Sequence, residues 1–205
     1  MTSLTDAAWL QDVAVQTLLR ALGQGEEEAR VVGGAIRNHY LGYPITDVDI
    51  ATTTLPRETM RLGAEAGFRA VPTGVDHGTV TLVQDGRAFE VTTLRRDTES
   101  DGRHAKVAFG RDWKVDAERR DFTINALYAD ADGKVYDYVG GLADLEAQSL
   151  RFIGDAELRI REDYLRSLRF FRFFAWYGKG RPDAEALRAT ARLRDGLKTL
   201  SAERV

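Results

Sequence analysis

The order of strand-like and helical segments changes near Gly154, and this change limits the folds open to the chain. Before Gly154, short segments of alternating polarity lie between helical ones, and after it the patterns are helical only. Thr79–Val83, for example, is followed by the turn signal Asp85-Gly86 and a second strand-like segment, which predicts a β-hairpin. We therefore predict an α+β domain with a mixed sheet over residues 1–154 and the start of an all-helical region over residues 155–205.

Composition excludes several classes of protein. The 205 residues are 43% hydrophobic and 30% charged and contain no long apolar run, which is typical of a globular chain without a membrane span. Met1–Leu10 has no basic start followed by an apolar stretch, so we expect a cytoplasmic protein. The sequence has no cysteine, which excludes disulfides and thiolate ligands, and its three histidines lack the HxxxH spacing. A metal would therefore be bound by carboxylates.

Charge is distributed unevenly along the chain. Residues 151–205 contain 13 basic and 8 acidic side chains, a net charge of +5, whereas residues 1–150 contain 16 basic and 24 acidic side chains, a net charge of −8. This asymmetry favours a metal-binding acidic part and a phosphate-binding basic part. Arginines on the solvated faces of ordinary helices would explain the basic part equally well.

Some longer segments also have predicted structures. Trp9, Val13 and Leu19 are spaced as on one face of a helix, which predicts a helix over residues 5–21 with Asp6 as its cap. Residues 95–115 are polar and poorly periodic, which predicts a long loop. Residues 156–177 have helical periodicity without interruption, and a Gly-Pro break separates them from a second helix that begins at Asp183.

The triplet Asp47-Val48-Asp49 is the first candidate for metal chemistry. If Asp47 to Ile50 is a strand, the two carboxylates share a face about 6.6 Å apart, because side chains alternate along a strand. Val48 and Ile50 then point to the core. Two carboxylates that converge on one cation could hold Mg²⁺ against a triphosphate. Acidic pairs are also common in turns and edge strands, so the triplet alone fits a structural role as well.

A glycine pair, Gly33-Gly34, lies between a predicted strand and a predicted helix. Glycines let backbone N–H groups approach a phosphate closely, and a helix N-terminus favours an anion. Arg37, one turn further on, can add a fork of donors. Taken alone, such a pair more often forms an ordinary tight turn.

Two arginine-rich segments add to these signals. Residues 119–126 join two adjacent arginines to an acidic residue and an amide, and residues 162–173 repeat arginine every three positions. On a helix, with about 100° per residue, such a repeat places its members nearly on one side. The predicted polar ridge consists of Asp163, Arg166, Arg169 and Arg172. The alternative is an ion pair between Glu162 and Arg166 on a solvated helix face.

Together these motifs resemble those of the class II tRNA nucleotidyltransferases, the CCA-adding enzymes, and of the related bacterial poly(A) polymerases. The resemblance covers about residues 31–177. It comprises a glycine and DxD signature (Gly33 to Asp49), an RRDxxxNA signature (Arg119 to Ala126) and an EDxxRxxRxxRF signature (Glu162 to Phe173). Three motifs in this order and at compatible spacing are highly specific.

The resemblance implies a polymerase β-like nucleotidyltransferase head with a mixed β-sheet, followed by an all-helical neck. It implies that Asp47 and Asp49 bind Mg²⁺ and that Glu90 is a further catalytic carboxylate. The nucleotide-binding residues that it implies are Gly34 and Arg37 for the triphosphate, Arg120, Arg169 and Arg172 for phosphates or sugar, and Asp163 and Arg166 for the base.

The resemblance extends to one further segment, and the sequence departs from the family at one position. Residues 101–113 look like the family's flexible loop, which is linked with the switch from C to A addition. Asn38 follows the motif arginine, where many family members carry aspartate, and its role is left open.

Chemistry supports the base-reading assignment. Cytosine and adenine both present an amino donor beside an unprotonated ring nitrogen. A carboxylate at Asp163 and a guanidinium at Arg166 can pair with both bases in one geometry. Uracil and guanine present the reverse order, which would leave buried polar groups unsatisfied at about 2 to 5 kcal/mol.

The resemblance implies template-independent addition of C, A or both, from CTP and ATP, to the 3′ end of tRNA by a two-metal mechanism, with no membrane involved. Poly(A) addition is the nearest alternative, because poly(A) polymerases share all three motifs. A non-catalytic RNA-binding fragment and a small-molecule nucleotidyltransferase are further alternatives. Asp47, Asp49 and Arg120 count against the first of these, and the EDxxR helix counts against the second.

Family members continue into a body and tail that grip tRNA, so we expect this sequence to end within the neck and to bind tRNA weakly by itself. Leu187, Leu193 and Leu197 are spaced along predicted neck helices. We expect their apolar faces to lack partners here, which predicts self-association or dependence on a further body.

Overall fold

The computed structural model of the chain describes residues 3–100 and 105–204. In these residues, strands and helices are mixed up to Gly154 and helices alone follow, as the sequence predicts. The strands are β1 (Ala29–Val32), β2 (Asp49–Thr52), β3 (Arg69–Gly74), β4 (Thr79–Gln84), β5 (Arg87–Thr93), β6 (Arg95–Ser100), β7 (Ala105–Phe109), β8 (Leu127–Ala129) and β9 (Val135–Asp137). The helices are α1 (Val13–Leu22), α2 (Gly34–Leu41), α3 (Pro56–Glu65), α4 (Trp113–Glu118), α5 (Gly141–Glu146), α6 (Ala156–Glu162), α7 (Leu165–Tyr177) and α8 (Ala184–Arg192).

One mixed sheet organises the first part of the fold. Its strand order is β3-β4-β5-β2-β1-β8-β9, with β2 parallel to β5 and the other neighbours antiparallel. The predicted α+β class with a mixed sheet is therefore confirmed. Ile50 of β2 lies opposite Val91 of β5. Because side chains alternate along each strand, the preceding residues, Asp49 and Glu90, are neighbours on the other face.

The sheet has an apolar layer on each face. The larger layer contains Ile50 and Leu18, both fully buried, and packs the sheet against helices α1 to α3. The smaller layer lies around Trp113 and Tyr128, whose rings meet edge to face at 5.2 Å between centroids. Burial on both faces holds the central strands β1 and β2 rigidly, so the residues at their ends have fixed positions.

Aromatic packing connects the sheet to the later helices. Phe122, which follows α4, lies 4.8 Å from Phe152 and 6.3 Å from Phe170 of α7, measured between ring centroids. Phe122 and Phe170 are fully buried. Burial of each such side chain contributes about 1.5 to 3 kcal/mol. This cluster therefore fixes α7 against the sheet domain.

The first helix begins later than predicted. Helix α1 starts at Val13 because the carboxylate of Asp12 accepts hydrogen bonds from the backbone N–H groups of Ala14 and Val15, whereas Asp6 caps no helix. The predicted start near residue 5 is wrong. The residues before Asp12 form turns that bury Leu4 and Leu10.

The predicted hairpin is confirmed: β4 and β5 pair across Asp85 and Gly86, which both have positive φ, as a tight two-residue turn requires. The prediction of a loop over residues 95–115 is wrong, since most of this segment forms the antiparallel strands β6 and β7 and the start of α4. A two-stranded ribbon outside the main sheet needs no apolar face, so its sequence lacks alternation. Asp101 to His104, within the predicted flexible loop, lie outside the described residues.

None of the helices in the described part of the chain is both long enough and apolar enough to cross a membrane.

Candidate active site

An open cleft of about 730 Å³ lies between the end of the central strands and helix α7. It brings together residues from distant segments of the chain, including most of those predicted from the sequence. The predicted residues that line it are Gly34, Arg37, Asp47, Asp49, Arg120, Asp163, Arg166 and Arg169. Two predicted residues, Glu90 and Arg172, are not part of this lining.

The glycine pair forms one wall of the cleft. Gly33 has φ +72°, a conformation that favours glycine, and a Cβ atom there would lie 3.1 Å from the backbone oxygen of Asn125. Its own N–H group donates to Leu127 O at 2.9 Å, so this group is engaged within the fold. The tight turn starts α2 at Gly34 and directs the helix N-terminus and Arg37 toward the cleft.

The two aspartates reach the cleft by different routes. Asp49 is the first residue of β2, but Asp47 precedes the strand and accepts a hydrogen bond from the Thr46 hydroxyl at 2.8 Å. The predicted placement of both carboxylates on one strand face is therefore wrong. The predicted inward orientation of Val48 and Ile50 is confirmed, since both are buried. Their burial fixes the backbone that carries the aspartates.

Repulsion between carboxylates is concentrated at Asp49. Burial, and then the neighbouring charge of Glu90, raise the pKa of Asp49 to about 6; Asp47 adds to this rise and Arg120 opposes it. A cation between the aspartates would relieve that repulsion, and their oxygen donors suit a hard divalent ion such as Mg²⁺. No group of three or more potential metal ligands is already assembled within the described ranges. The residues present therefore fit a metal shared with a phosphate better than an all-protein cage.

Arg37 is buried among neutral partners. Its guanidinium donates to Asn125 Oδ1 at 2.5 Å, to Tyr177 Oη at 3.0 Å and to Asn38 Oδ1 at 2.9 and 3.1 Å. It also lies over the Tyr177 ring, 4.2 Å from the centroid. Burial lowers the pKa of Arg37 below its ordinary value, which still leaves the group charged at neutral pH. Tyr177, for which the sequence motifs predict no role, thus positions a predicted phosphate ligand.

Asp116 holds both arginines of the RRD motif, a role that the motifs in the sequence do not predict. One of its oxygens accepts from Arg119 at 2.7 and 2.9 Å, and the other accepts from Arg120 at 3.1 and 3.2 Å and from the Tyr128 hydroxyl at 2.8 Å. Only 1% of its side chain is exposed. The signal was present in the sequence, because Asp116 precedes the two arginines by three and four residues, the spacing of neighbours on a helix.

Asp121 connects the motif to helix α7. Its Oδ2 atom accepts from Arg169 Nε at 2.7 Å, and its Oδ1 atom accepts from Asn125 Nδ2 at 3.3 Å. Asn125 in turn accepts from Arg37. A continuous polar network therefore runs across the floor of the cleft from α2 to α7.

Asp163 interrupts the helix predicted over residues 156–177. Its φ of −158° is extended, so α6 ends at Glu162 and α7 begins at Leu165. Asp163 Oδ1 accepts from the backbone N–H of Leu165, and Asp163 Oδ2 accepts from Arg204 at 2.9 Å. The prediction of a continuous helical ridge is therefore wrong. The carboxylate of Asp163 nevertheless lines the cleft at this break.

The remaining members of the predicted ridge have separate surroundings. Arg166 donates to Glu162 at 2.5 Å and to Arg159 O at 3.0 Å, so the predicted alternative, an ion pair between Glu162 and Arg166, exists together with a place in the cleft. Arg172 is exposed and lies over the Phe173 ring.

Two of the three leucines expected to lack partners have them. Leu193 is buried in the main core, Leu187 packs against it, and Leu197 is half-buried. The expectation of open apolar faces is therefore wrong for Leu187 and Leu193, because α8 packs on α6. Self-association of the chain stays a prediction, but the buried leucines are not available to form its contact surface.

A mixed sheet with carboxylates and arginines at the mouth of a cleft, followed by helices, is the architecture of a nucleotidyltransferase head. The chain belongs to the Poly A polymerase head domain family, whose model matches residues 29–151.

Relatives of known name extend this match. The mitochondrial CCA tRNA nucleotidyltransferase 1 of Danio rerio is 47% identical over 184 residues, which are 87% of this chain and 42% of the relative. A CCA-adding enzyme of Streptococcus sanguinis is 48% identical over 150 residues, which are 72% of this chain and 37% of the relative. The chain thus spans less than half the length of these curated relatives.

Solved structures agree with the sequence match. The Bacillus stearothermophilus CCA-adding enzyme in complex with CTP superposes with a TM-score of 0.82 at 36% identity, covering 93% of this chain and 45% of that one. A tRNA nucleotidyltransferase complexed with a primer tRNA and an incoming ATP analog gives a TM-score of 0.72 at 26% identity, covering 91% of this chain and 53% of that one. CCA-adding nucleotidyltransferases are metal-dependent enzymes.

Proposed function

We propose that this chain is the catalytic and nucleotide-binding part of a template-independent nucleotidyltransferase that adds C, A or both, from CTP and ATP, to the 3′ end of tRNA. In this proposal residues 1–154 are the head and residues 155–205 begin the helical neck. The observation that carries the proposal is the single cleft in which Asp47 and Asp49 face Arg37, Arg120 and Arg169. The names of the relatives favour CCA addition over poly(A) addition.

The reaction is an in-line displacement. An RNA 3′-oxygen forms a bond to the α-phosphorus, the bond from that phosphorus to the α,β-bridging oxygen breaks, and pyrophosphate leaves. Asp47 and Asp49 would hold Mg²⁺, with Glu90 as a further carboxylate beside Asp49. When bound, two Mg²⁺ ions would activate the attacking hydroxyl and stabilise the charge on the triphosphate.

The arginines bind the charge of the triphosphate. Arg120 is held in a fixed orientation by Asp116 and Tyr128, so little side-chain entropy is lost when it meets a phosphate. Within the described residues, the hydrogen-bond acceptors of Arg37 are neutral, which leaves its charge for the nucleotide. Gly34 contributes the open helix N-terminus beside Arg37.

Base selection would lie at the break between α6 and α7. Asp163 would accept from the exocyclic amino group of cytosine or adenine, and Arg166 would donate to the adjacent ring nitrogen. Both side chains line the cleft but have internal partners: Arg204 for Asp163, and Glu162 for Arg166. Base binding would replace the Asp163 contact and use further donors of the Arg166 guanidinium. We do not assign Arg172 to the nucleotide, because it lies outside this lining.

A nucleotide-incorporation assay tests the proposal. A tRNA that lacks its 3′-terminal CCA is incubated with the chain, Mg²⁺ and either CTP, ATP or both. We expect incorporation of C, A or both, and none from UTP or GTP. Long A tracts without any use of CTP would establish poly(A) addition instead, and no incorporation on any RNA would overturn the proposal for this chain.

A further inference from the structure

Tyr43 follows helix α2 directly after its C-terminal turn. Gly42, where the helix ends, has φ +71°, a left-handed conformation that favours glycine. The N–H group of Gly42 donates to His39 O at 3.3 Å, and the N–H group of Tyr43 donates to Asn38 O at 2.9 Å. These two bonds form a Schellman motif, which fixes the direction in which the chain leaves the helix.

The side chain of Tyr43 reaches the end of helix α7. Its hydroxyl group donates to Trp176 O at 3.0 Å, and its ring meets the Tyr177 ring edge to face, with 5.4 Å between the centroids. Trp176 lies in the last turn of α7, where backbone carbonyls have no partner within the helix. The hydroxyl group of Tyr43 therefore caps the end of α7, while its backbone is fixed at the end of α2.

The connection from Tyr43 to Asp47 is short and restricted. Pro44 fixes its own φ and disfavours a helical conformation at Tyr43. Ile45 packs against the main core, and Asp47 follows two residues later. Asp47 lines the cleft and Tyr43 does not. A fixed side chain four positions before Asp47 therefore limits where that carboxylate can lie, although it does not contact the nucleotide itself.

From this geometry we propose that Tyr43 is a positioning residue for the metal site, which anchors the segment of Asp47 to the end of α7. The inference rests on the proposed function. Tyr177 accepts a hydrogen bond from Arg37 at 3.0 Å, so the same helix end also contacts the arginine that would bind phosphate. An ion at Asp47 and a phosphate at Arg37 therefore keep a constant separation only while the end of α7 is in contact with Tyr43.

Three substitutions separate the hydroxyl group from the ring. Y43F removes the bond to Trp176 O and keeps the ring contact, whereas Y43L removes both. Y177F removes the bond to Arg37 and leaves the hydroxyl group of Tyr43 in place. Y136F is the matched control, because the Tyr136 hydroxyl also donates a side-chain hydrogen bond of 3.0 Å and the residue does not line the cleft.

The measurement is calorimetric titration of CTP into the chain without RNA, once with Mg²⁺ and once with EDTA. The ratio of the two dissociation constants gives the contribution of the metal site. We expect Y43F to reduce this ratio by about fivefold, the effect of one hydrogen bond, and to leave the affinity in EDTA within about twofold of the wild type. Y43L should reduce both, because Tyr177 loses its ring contact. Y177F should lower mainly the affinity in EDTA, and Y136F should match the wild type.

A melting curve for each variant distinguishes positioning of the metal site from stabilisation of the fold. Tyr43 is 43% exposed, so Y43F leaves no cavity in the core and should remain folded. If Y43L does not fold, Y43F decides the question. A Y43F variant that melts at a lower temperature but keeps the wild-type ratio would reduce Tyr43 to a helix cap and overturn the inference.

The possible results also separate the inference from the proposed function. If the wild type binds CTP more tightly with Mg²⁺ and Y43F keeps the same ratio, the inference is wrong and the proposed function stands. Equal reductions of the ratio in Y43F and Y136F would overturn the inference too, and so would a wild type that binds CTP equally well in both conditions. A wild type that binds CTP in neither condition would overturn the proposed function and this inference with it.

Discussion

Arg169 of helix α7 donates from Nε to Asp121 Oδ2 at 2.7 Å, and its Nη2 atom lies 2.5 Å from the same oxygen. The two residues are 48 positions apart, and each belongs to a different motif of the sequence. This ion pair joins the sheet domain to helix α7 across the floor of the cleft. A nucleotide bound at Arg169, as proposed, would therefore act on the contact between the sheet and the later helices.

We expect Asp121 and Arg169 to be energetically coupled. The pair is a third exposed at Arg169, so solvent screening limits the coupling to about 1 kcal/mol. Urea unfolding of D121A, R169A and the double variant measures it. The losses in free energy of unfolding of the two single variants should add up to more than the loss of the double variant. Simple additivity would mean that the ion pair does not stabilise the contact between the sheet domain and α7.

D47A and D49A should each abolish nucleotide incorporation without lowering the melting temperature. Neither carboxylate supports the core, so neither variant should lose more than about 0.5 kcal/mol of stability. Removal of Asp49 also relieves its repulsion with Glu90, so D49A should be at least as stable as the wild type. Chelation of divalent ions should have the same effect on the wild type. D76A, at an exposed residue outside the cleft, is the control and should retain activity. Wild-type turnover in D47A or D49A would show that the metal assignment is wrong.

D163A and R166A should reduce the preference for CTP and ATP over UTP and GTP more than they reduce triphosphate affinity. Each variant removes one base-edge hydrogen bond, which contributes about 2 kcal/mol of discrimination. The ratio of kcat/KM for CTP over UTP measures this, and it does not depend on the folded fraction, which matters because Arg166 also pairs with Glu162. R161A, at an exposed ion pair of the same segment, should leave the ratio unchanged. Retained preference with equal losses for all four nucleotides would place base reading elsewhere.

D116N should destabilise the fold by about 3 to 5 kcal/mol, because it leaves two arginines without their buried carboxylate. K114A, at an exposed pair with Glu118, should change stability by about 1 kcal/mol at most. Chemical denaturation measures both effects. A D116N variant as stable as K114A would show that Asp116 is not a structural anchor.

The pH dependence of the same variant has a definite sign. Burial alone would raise the pKa of Asp116, but Arg120 and Arg119 outweigh burial and hold the pKa below its ordinary value of 3.8. A carboxylate with a lowered pKa adds stability above its unfolded pKa and loses it as the pH falls through its folded pKa. The stability difference between wild type and D116N should therefore be full at neutral pH and shrink below about pH 4. A difference that is constant over this range would contradict the ion-pair explanation.

Local signals in the sequence determined much of the fold. The hairpin follows from Asp85-Gly86, whose residues tolerate positive φ, and the inward direction of Val48 and Ile50 follows from alternation along the chain. The motifs also identified most of the residues that line the cleft. These properties depend on residue type and short spacing, which the sequence displays directly.

Other features were decided by tertiary contacts. Strand β2 pairs with β1 from Asp49 onward, so Asp47 lies before the paired residues. Asp163, where helix α6 ends, accepts from Arg204 across 41 positions, a contact that periodicity does not reveal. Leu187 and Leu193 are covered by the packing of the later helices, in which α8 lies on α6, and no count of apolar residues predicts this.

The cleft itself depends on contacts between distant positions. Arg37 meets Tyr177 across 140 positions, and Asn125 joins Arg37 to Asp121. The sequence determined which charged groups were available. Only the packing of α7 on the sheet decided that Arg37 is surrounded by neutral acceptors and Arg169 by a carboxylate, because hydrogen bonds and Coulomb forces act over a few ångströms and depend on which distant residues the fold brings together.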